Sequence, residues 1–391
     1  MGKCPLCFRG APANGLKNAR TAHTDIPGAG QWNAGRTQMK SNDRIWNLVS
    51  KVAGIALLLV AFLLATALCF SAPTNPSQAP SIFRPASTPA DWVFHLSWFV
   101  LTVTGSIFVV VSILLVYVIV KYGRRGEEGH EPPQVYGSNQ IELSWTVIPI
   151  LIVVVLFLAT ARVIHSVEDA PKPAGAIEVT AIGHQFWWEF RYPALGVITA
   201  NELHVPVSDP ALSTPTFLTL LSADTNHSFW VPELAGKTDL IPNRVNRMWI
   251  DPHHAGTFFG QCAQYCGTQH GKMLLRVLVN SPEDFDSWVR AQRQSANQDR
   301  SEAAGRRVFE TTACVNCHAV RGTNATGRFG PDLTHLMSRE TIASGAAENT
   351  KENLRLWIQN PDGIKPGSLM PSMKLSDPDL NAVVGYLLTL K

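Results

Sequence analysis

Residues 262–273 read CAQYCGTQHGKM, which sets Cys262, Cys266, His270 and Met273 at intervals of four, four and three. On an α-helix those positions would share one face, and a stripe of small or soft side chains is ordinary core. Thiolate, imidazole and thioether are also the donors that soft copper prefers. Gly267 and Gly271 fall inside the stretch and weigh against a stable helix, so it reads as a loop between strands. Four soft donors on one loop need at least one more from elsewhere. His227, in the run DTNHSFWVP, is the candidate. A single blue copper would leave one cysteine spare, whereas two thiolates bridging two coppers would use every donor. The methionine and the strand-loop setting argue against zinc.

A second constellation is Cys314-Val315-Asn316-Cys317-His318. CxxCH is the covalent attachment signature of haem c: two thioethers clamp the porphyrin and the adjacent His ligates the iron. The competing reading is a redox CxxC pair followed by a histidine. The sixth iron ligand should lie downstream. PGSLMP, residues 366–371, holds Met370 in a Pro/Gly-stiffened loop before the last helix, with Met373 and Met337 as rivals. A His–Met pair leaves no open position for substrate and favours electron transfer.

These residues must be placed by the rest of the chain. Three dense apolar runs stand out, at residues 52–67, 92–122 and 143–163. The last two lack charge over about twenty residues, the helix length that crosses a bilayer. The first ends in Ala65-Thr66-Ala67 behind Lys40, Arg44 and Lys51, the pattern of a signal peptide starting at Met39. The organisation expected is therefore a tail or over-extended gene start at 1–38, a signal peptide at 39–67 and a linker at 68–91. Transmembrane helices follow at 92–122 and 142–165, joined by a cytoplasmic loop at 123–141. Lys121, Arg124 and Arg125 put that loop inside, so everything after His165 lies outside.

Between residues 176 and 280 the sequence alternates in short strands, a β-sandwich rhythm. The expected domain is 172–285, followed by a linker at 286–300 and a helical domain at 301–391. Four of the seven cysteines are in this external part. Oxidising compartments favour disulfides, so two disulfides compete with metal and haem. The net charge of +3 gives no sign of a nucleic-acid partner.

With those residues in view, the chain resembles subunit II of a haem-copper cytochrome c oxidase, of the bacterial kind with a fused carboxyl-terminal cytochrome c domain. The likeness runs over residues 91–391. It rests on IELSWTVIP, GHQFWWEFRYP, DTNHSFWVPEL, KTDLIP and the Cys262–Met273 loop. It implies a multi-domain membrane protein with a two-helix transmembrane anchor, a cupredoxin-like β-sandwich and an all-α class I cytochrome c domain. The implied cofactors are a dinuclear copper centre (CuA) and one covalent haem c. The copper ligands would be His227, Cys262, Cys266, His270, Met273 and the backbone carbonyl of Gln264. Cys314 and Cys317 would hold the haem, with His318 and Met370 axial. Glu142, in the IELSWTVIP motif, would lie near the mouth of a proton path on the inner face.

Two positions depart from the family pattern. Gln264 stands where relatives carry a Glu that reaches magnesium; an amide is a weaker ligand for a hard cation, so magnesium is not expected. Phe186 stands where relatives have the Trp that receives electrons from soluble cytochrome c, and core packing of the FWW run is the competing role. The implied partners are catalytic subunit I, other oxidase subunits, membrane lipid and an external electron donor. The implied place is the bacterial inner membrane, with both metal domains on the periplasmic side. Alternative functions are a CuA-bearing subunit of a nitric or nitrous oxide reductase, and a copper-free structural subunit of a quinol oxidase.

Overall fold

The computed structural model describes residues 80–123, 134, 137–208, 214–296 and 302–391. Cys4, Cys7, the signal-peptide stretch, Arg124 and Arg125 lie outside the described residues.

Two long helices come first, α1 (Thr88–Tyr122) and α2 (Asn139–Glu168). Each starts before its expected boundary, at Thr88 rather than residue 92 and at Asn139 rather than residue 142. The hydrophobic run marks where a membrane helix must be apolar, but polar residues at its start continue the helix beyond it. The α1 cap comes from the sandwich: Asp251 accepts from Ser87 Oγ at 2.8 Å, from Thr88 N at 2.7 Å and from Thr88 Oγ1 at 2.6 Å. A carboxylate there also complements the positive end of the helix dipole. At the other seam, Trp249 Nε1 donates to the Val167 carbonyl near the end of α2 at 2.8 Å. Most of the large apolar side chains in the middle of both helices are exposed, the inverse of a water-soluble helix and the pattern that lipid contact requires. Their most apolar windows average 2.7 and 2.8 in hydropathy.

The sandwich consists of β1 (Ile177–His184), β2 (Trp187–Tyr192), β3 (Val197–Ala200), β4 (Glu202–Pro206), β5 (Thr216–Ser222), β6 (His227–Trp230), β7 (Thr238–Leu240), β8 (Asn246–Ile250), β9 (Gly256–Cys262) and β10 (Leu274–Asn280). One sheet runs β3-β2-β1-β5-β8 and the other β4-β10-β9-β6-β7. Pairing is antiparallel except for β1 with β5 and β4 with β10. β3 and β7, of four and three residues, are too short to give a readable alternation. Between the sheets, Trp188, Phe190, Leu203, Leu218, Leu220, Phe229 and Leu240 are fully buried, each contributing about 1.5–3 kcal/mol of apolar transfer. Tyr192 closes one corner: its hydroxyl donates to the His204 carbonyl at 2.7 Å and accepts the His204 N–H at 2.9 Å.

After α3 (Pro282–Gln292), whose first turn is capped by Ser281 Oγ accepting from Asp284 N at 3.1 Å, the chain enters a second core. It is built by α4 (Ala303–Thr311), α5 (Cys314–Cys317), α6 (Lys351–Gln359), α7 (Pro361–Ile364) and α8 (Asp377–Leu388). A two-residue ladder, β11 (Thr341–Ile342) with β12 (Ala347–Glu348), interrupts an otherwise helical domain. Helices α4 and α8 cross with Phe309 against Tyr386, ring centroids 5.6 Å apart.

Candidate metal centres

The loop from Cys262 to Met273 joins β9 to β10, neighbouring antiparallel strands of one sheet. Its only helical geometry is a single tight turn at His270–Lys272, so the donors are gathered by a loop. β6 lies on the other side of β9, with Phe229 opposite Cys262. That register delivers His227 to the loop.

The two sulfurs, Cys262 Sγ and Cys266 Sγ, are 3.9 Å apart. An imidazole flanks each: His227 Nδ1 is 3.9 Å from Cys262 Sγ, and His270 Nδ1 is 3.8 Å from Cys266 Sγ. Met273 Sδ lies 3.8 Å from Cys266 Sγ, and the Gln264 carbonyl 3.1 Å from Cys262 Sγ. All four described cysteines are free thiols, so the competing reading of two disulfides is not realised. All six expected donors converge on one buried spot, while the Gln264 side chain is exposed.

The donor set fits soft metal. A metal–thiolate bond of about 2.3 Å lets one ion reach both sulfurs across that gap, and leaves room for a second ion to do the same. Protonation says the same. The thiol of Cys266 and then the His227 ring hold Cys262 as a thiolate, at about 3. The charge so formed, with burial, pushes the Cys266 thiol far up. Two adjacent buried thiolates need a cation to coexist.

Sequence reading missed Asp224, although it lies in the same DTNHSFWVP run. His227 Nε2 is 2.7 Å from Asp224 Oδ1, which leaves Nδ1 turned toward the sulfurs. A carboxylate behind a ligating imidazole fixes its tautomer and orientation. Burial would lower the His227 pKa, but the Asp224 carboxylate and the Cys262 sulfur together offset it and the net shift is upward.

The CxxCH segment forms α5 and opens on a cleft lined by Cys314, Cys317, His318, Met370 and Met373, with apolar walls from Leu333, Leu354 and Ile358. His318 Nδ1 is 2.7 Å from the Pro331 carbonyl and donates to it, which frees Nε2 for iron. Burial holds the imidazole below its usual pKa, hence neutral and able to ligate. Gly330 makes that ring position possible: a Cβ there would come within 2.6 Å of His318 Cε1. Met370 and Met373 both line the cleft, and Met370 also packs against the helical core. Met337 does not line it.

The second residue missed by sequence reading is Arg339. Its guanidinium is buried, lines the cleft, and leaves Nε without a hydrogen-bond partner. Nη2 donates to the Asp332 carbonyl, and the unpartnered Nε of this buried cation fits a ligand bearing carboxylates, as haem does. Trp188 is core, but Phe186 and Trp187 also line the cleft, so the FWW run is not all sandwich interior. Glu142 sits in the first turn of α2 with its side chain exposed.

Three family models match the chain in series: the transmembrane domain of cytochrome c oxidase subunit II over residues 73–163, its periplasmic domain over residues 210–280, and cytochrome c over residues 302–391. Cytochrome c oxidase subunit 2 of Alkalihalophilus pseudofirmus is 33% identical over 314 residues, covering 78% of this chain and 90% of the relative. The protein of that name from Bacillus subtilis is 33% identical, covering 80% and 92%. Quinol oxidase subunit 2 of Bacillus spizizenii is 31% identical over 247 residues, covering 62% and 72%.

Proposed function

The chain belongs to the cytochrome c oxidase subunit II family, with a cytochrome c domain at its carboxyl end, and we propose that it is the subunit through which electrons reach the catalytic centre. Electrons from an external donor would pass to haem c, then to a dinuclear copper centre, and on to subunit I, where oxygen is reduced and protons are moved. The observation that carries this reading is the convergence of two thiolates, two imidazoles, a thioether and a carbonyl beside a CxxCH cleft. A quinol oxidase subunit matches the chain over a shorter span; the full copper donor set favours the cytochrome c oxidase reading. The two apolar helices support a membrane anchor with both metal domains on the extracytoplasmic, periplasmic side of the bacterial cell membrane.

The cofactors, when bound, supply one-electron chemistry at both centres. The polypeptide supplies ligation and orientation. Asp224 holds His227, the Pro331 carbonyl orients His318, and the buried Arg339 would offer charge to the haem carboxylates. The assembled oxidase should contain two coppers and one covalent haem per copy of this chain. On mixing with reduced donor, haem absorption should change before copper absorption. Copper reduced first, or one copper per chain, would refute the sequence of transfers.

Asp224→Asn should weaken copper retention by about 10–100-fold, the usual effect of removing a carboxylate behind a metal-bound imidazole. Competition with a chelator of known affinity measures this. Retention equal to the parent would show that His227 needs no such partner.

Glu142 has a smaller expected effect. A carboxylate at a membrane boundary is often only an anchor. Its exposed position on the first turn of α2 suits proton uptake from water. Glu142→Gln should slow oxygen turnover while copper content, haem content and haem-to-copper transfer stay unchanged. Parental turnover in a fully assembled variant would leave Glu142 as an anchor.

A further inference from the structure

The haem cleft is not walled by its own domain alone, since Gln185, Phe186 and Trp187 of the sandwich line it as well. The Gln185–Phe186 segment touches both centres. On the sulfur side, the Gln185 N–H donates to Asp224 Oδ2 at 2.7 Å, the carboxylate that holds His227. Gln185 Nε2 donates to the Cys266 carbonyl at 2.6 Å. The Phe186 ring lies flush against Gly267 (φ +132°), where a Cβ would meet it at 3.0 Å. On the cleft side, Lys365 Nζ donates to the Phe186 carbonyl at 2.6 Å and to the Ala343 carbonyl at 3.1 Å.

Lys365 is only 3% exposed. Burial pulls its ammonium down to about 7, and two carbonyls take its hydrogen bonds in place of water. A group of opposite charge makes the reverse crossing. Glu202 of β4 is 1% exposed. It accepts the Glu340 N–H at 2.9 and 3.1 Å, the Thr341 N–H at 3.0 Å and the Thr341 hydroxyl at 3.2 Å. Between these two points the backbones join: Leu274 N–H donates to the Ser344 carbonyl at 3.1 Å, and Ser344 Oγ to the Leu274 carbonyl at 2.8 Å. Transient docking faces keep their charges at a wet rim. Here each domain buries an ionisable group against the backbone of the other.

We propose that Lys365 and Glu202 form a reciprocal latch that seats the haem domain permanently on the Gln185–Phe186 segment, making that segment the bridge between the two centres and closing it to external donors. The proposal rests on the assignment of both centres above. Lys365 and Glu202 act as positioning residues: neither touches a metal donor, and each fixes where one domain meets the other. An external reductant can then deliver electrons only to the haem.

Hydrogen exchange on the assembled oxidase tests the latch without reference to electron flow. The Glu340 and Thr341 amides, which donate to Glu202, should exchange about 100-fold more slowly than exposed loops, and Lys365→Met or Glu202→Ala should speed their exchange about tenfold or more. After photochemical injection of an electron into the haem, Lys365→Met should slow transfer to copper by about tenfold, because small misplacements cost that much. Haem and copper contents should match the parent, and Lys365→Arg, which keeps donors at the carbonyls, should recover part of the rate. Fast exchange of the Glu340 and Thr341 amides in the unaltered complex, or an unchanged transfer rate in Lys365→Met, overturns the latch. Lack of a copper signal in the unaltered complex would instead overturn the assignment of the sulfur cluster, and exchange at Glu340 and Thr341 would still decide the docking.

Discussion

Cys262→Ser and Cys266→Ser are each expected to abolish the electron state shared by two copper ions. The two sulfurs lie 3.9 Å apart, with His227 Nδ1 3.9 Å from one and His270 Nδ1 3.8 Å from the other. Each imidazole thus serves one end of a pair that only the two thiolates can join. A serine hydroxyl is a hard, neutral donor that copper binds weakly. One remaining sulfur cannot hold both ions symmetrically. The parent should give a seven-line paramagnetic resonance pattern, from one electron spread over two copper nuclei. Either variant should give four lines or no copper signal, with copper falling below two per chain. The sandwich itself should persist, since a buried hydroxyl left without a partner costs about 1–3 kcal/mol against a core that includes Trp188, Phe190 and Phe229. Far-ultraviolet dichroism checks that point. A seven-line spectrum surviving in either variant would show that bridging does not need both sulfurs.

What could be read from the sequence divides by how far apart the interacting residues lie. Cys262, Cys266, His270 and Met273 belong to one loop, so their spacing alone suggests a shared donor set. CxxCH is equally local. His227 required knowledge of a neighbouring strand, and a recognisable run of residues supplied it. Asp224 acts through a hydrogen bond to a residue only three positions away, yet nothing in a lone aspartate says which ring it faces. Lys365 reaches a carbonyl 179 residues away, and Glu202 reaches amides 138 and 139 residues away. Contacts at such separation leave no period or spacing in the chain. They are also side chain to backbone, so even the identity of the acceptor residue carries no signal. Arg339 was invisible for a related reason: burial of a guanidinium follows from tertiary packing, whereas composition places arginine at the surface. The helix starts differ from expectation where polar residues extend the helix past its apolar stretch, at Thr88 with the help of Asp251 beyond the end of β8.

Met370→Ala should remove the weak sulfur-to-iron absorption band near the red end of the visible spectrum, while Met373→Ala should leave it. Both methionines line the cleft, so the choice turns on how each is held. Met370 packs against the helical core, and its N–H donates to Ser368 Oγ at 3.3 Å. The loop before it is fixed from both sides: Gly367 N–H donates to Asp362 Oδ1 at 2.8 Å, and Lys365 is pinned to the sandwich. After it, Ser372 Oγ donates to the Gln359 carbonyl at 2.7 Å. A thioether is a weak ligand on a flexible side chain, so it stays on iron only when its backbone is held in place. His318, which would be the other iron ligand, is already aimed by the Pro331 carbonyl, and its neutral ring offers Nε2. Loss of the sulfur should open one iron position to water or added cyanide and lower the haem potential. Electron transfer to copper should then become unfavourable even though the haem stays covalently attached through Cys314 and Cys317. Potentiometric titration of the visible bands measures the fall. If Met373→Ala removes the band and Met370→Ala does not, the ligand is Met373, and the restraints on the 365–372 loop serve docking alone.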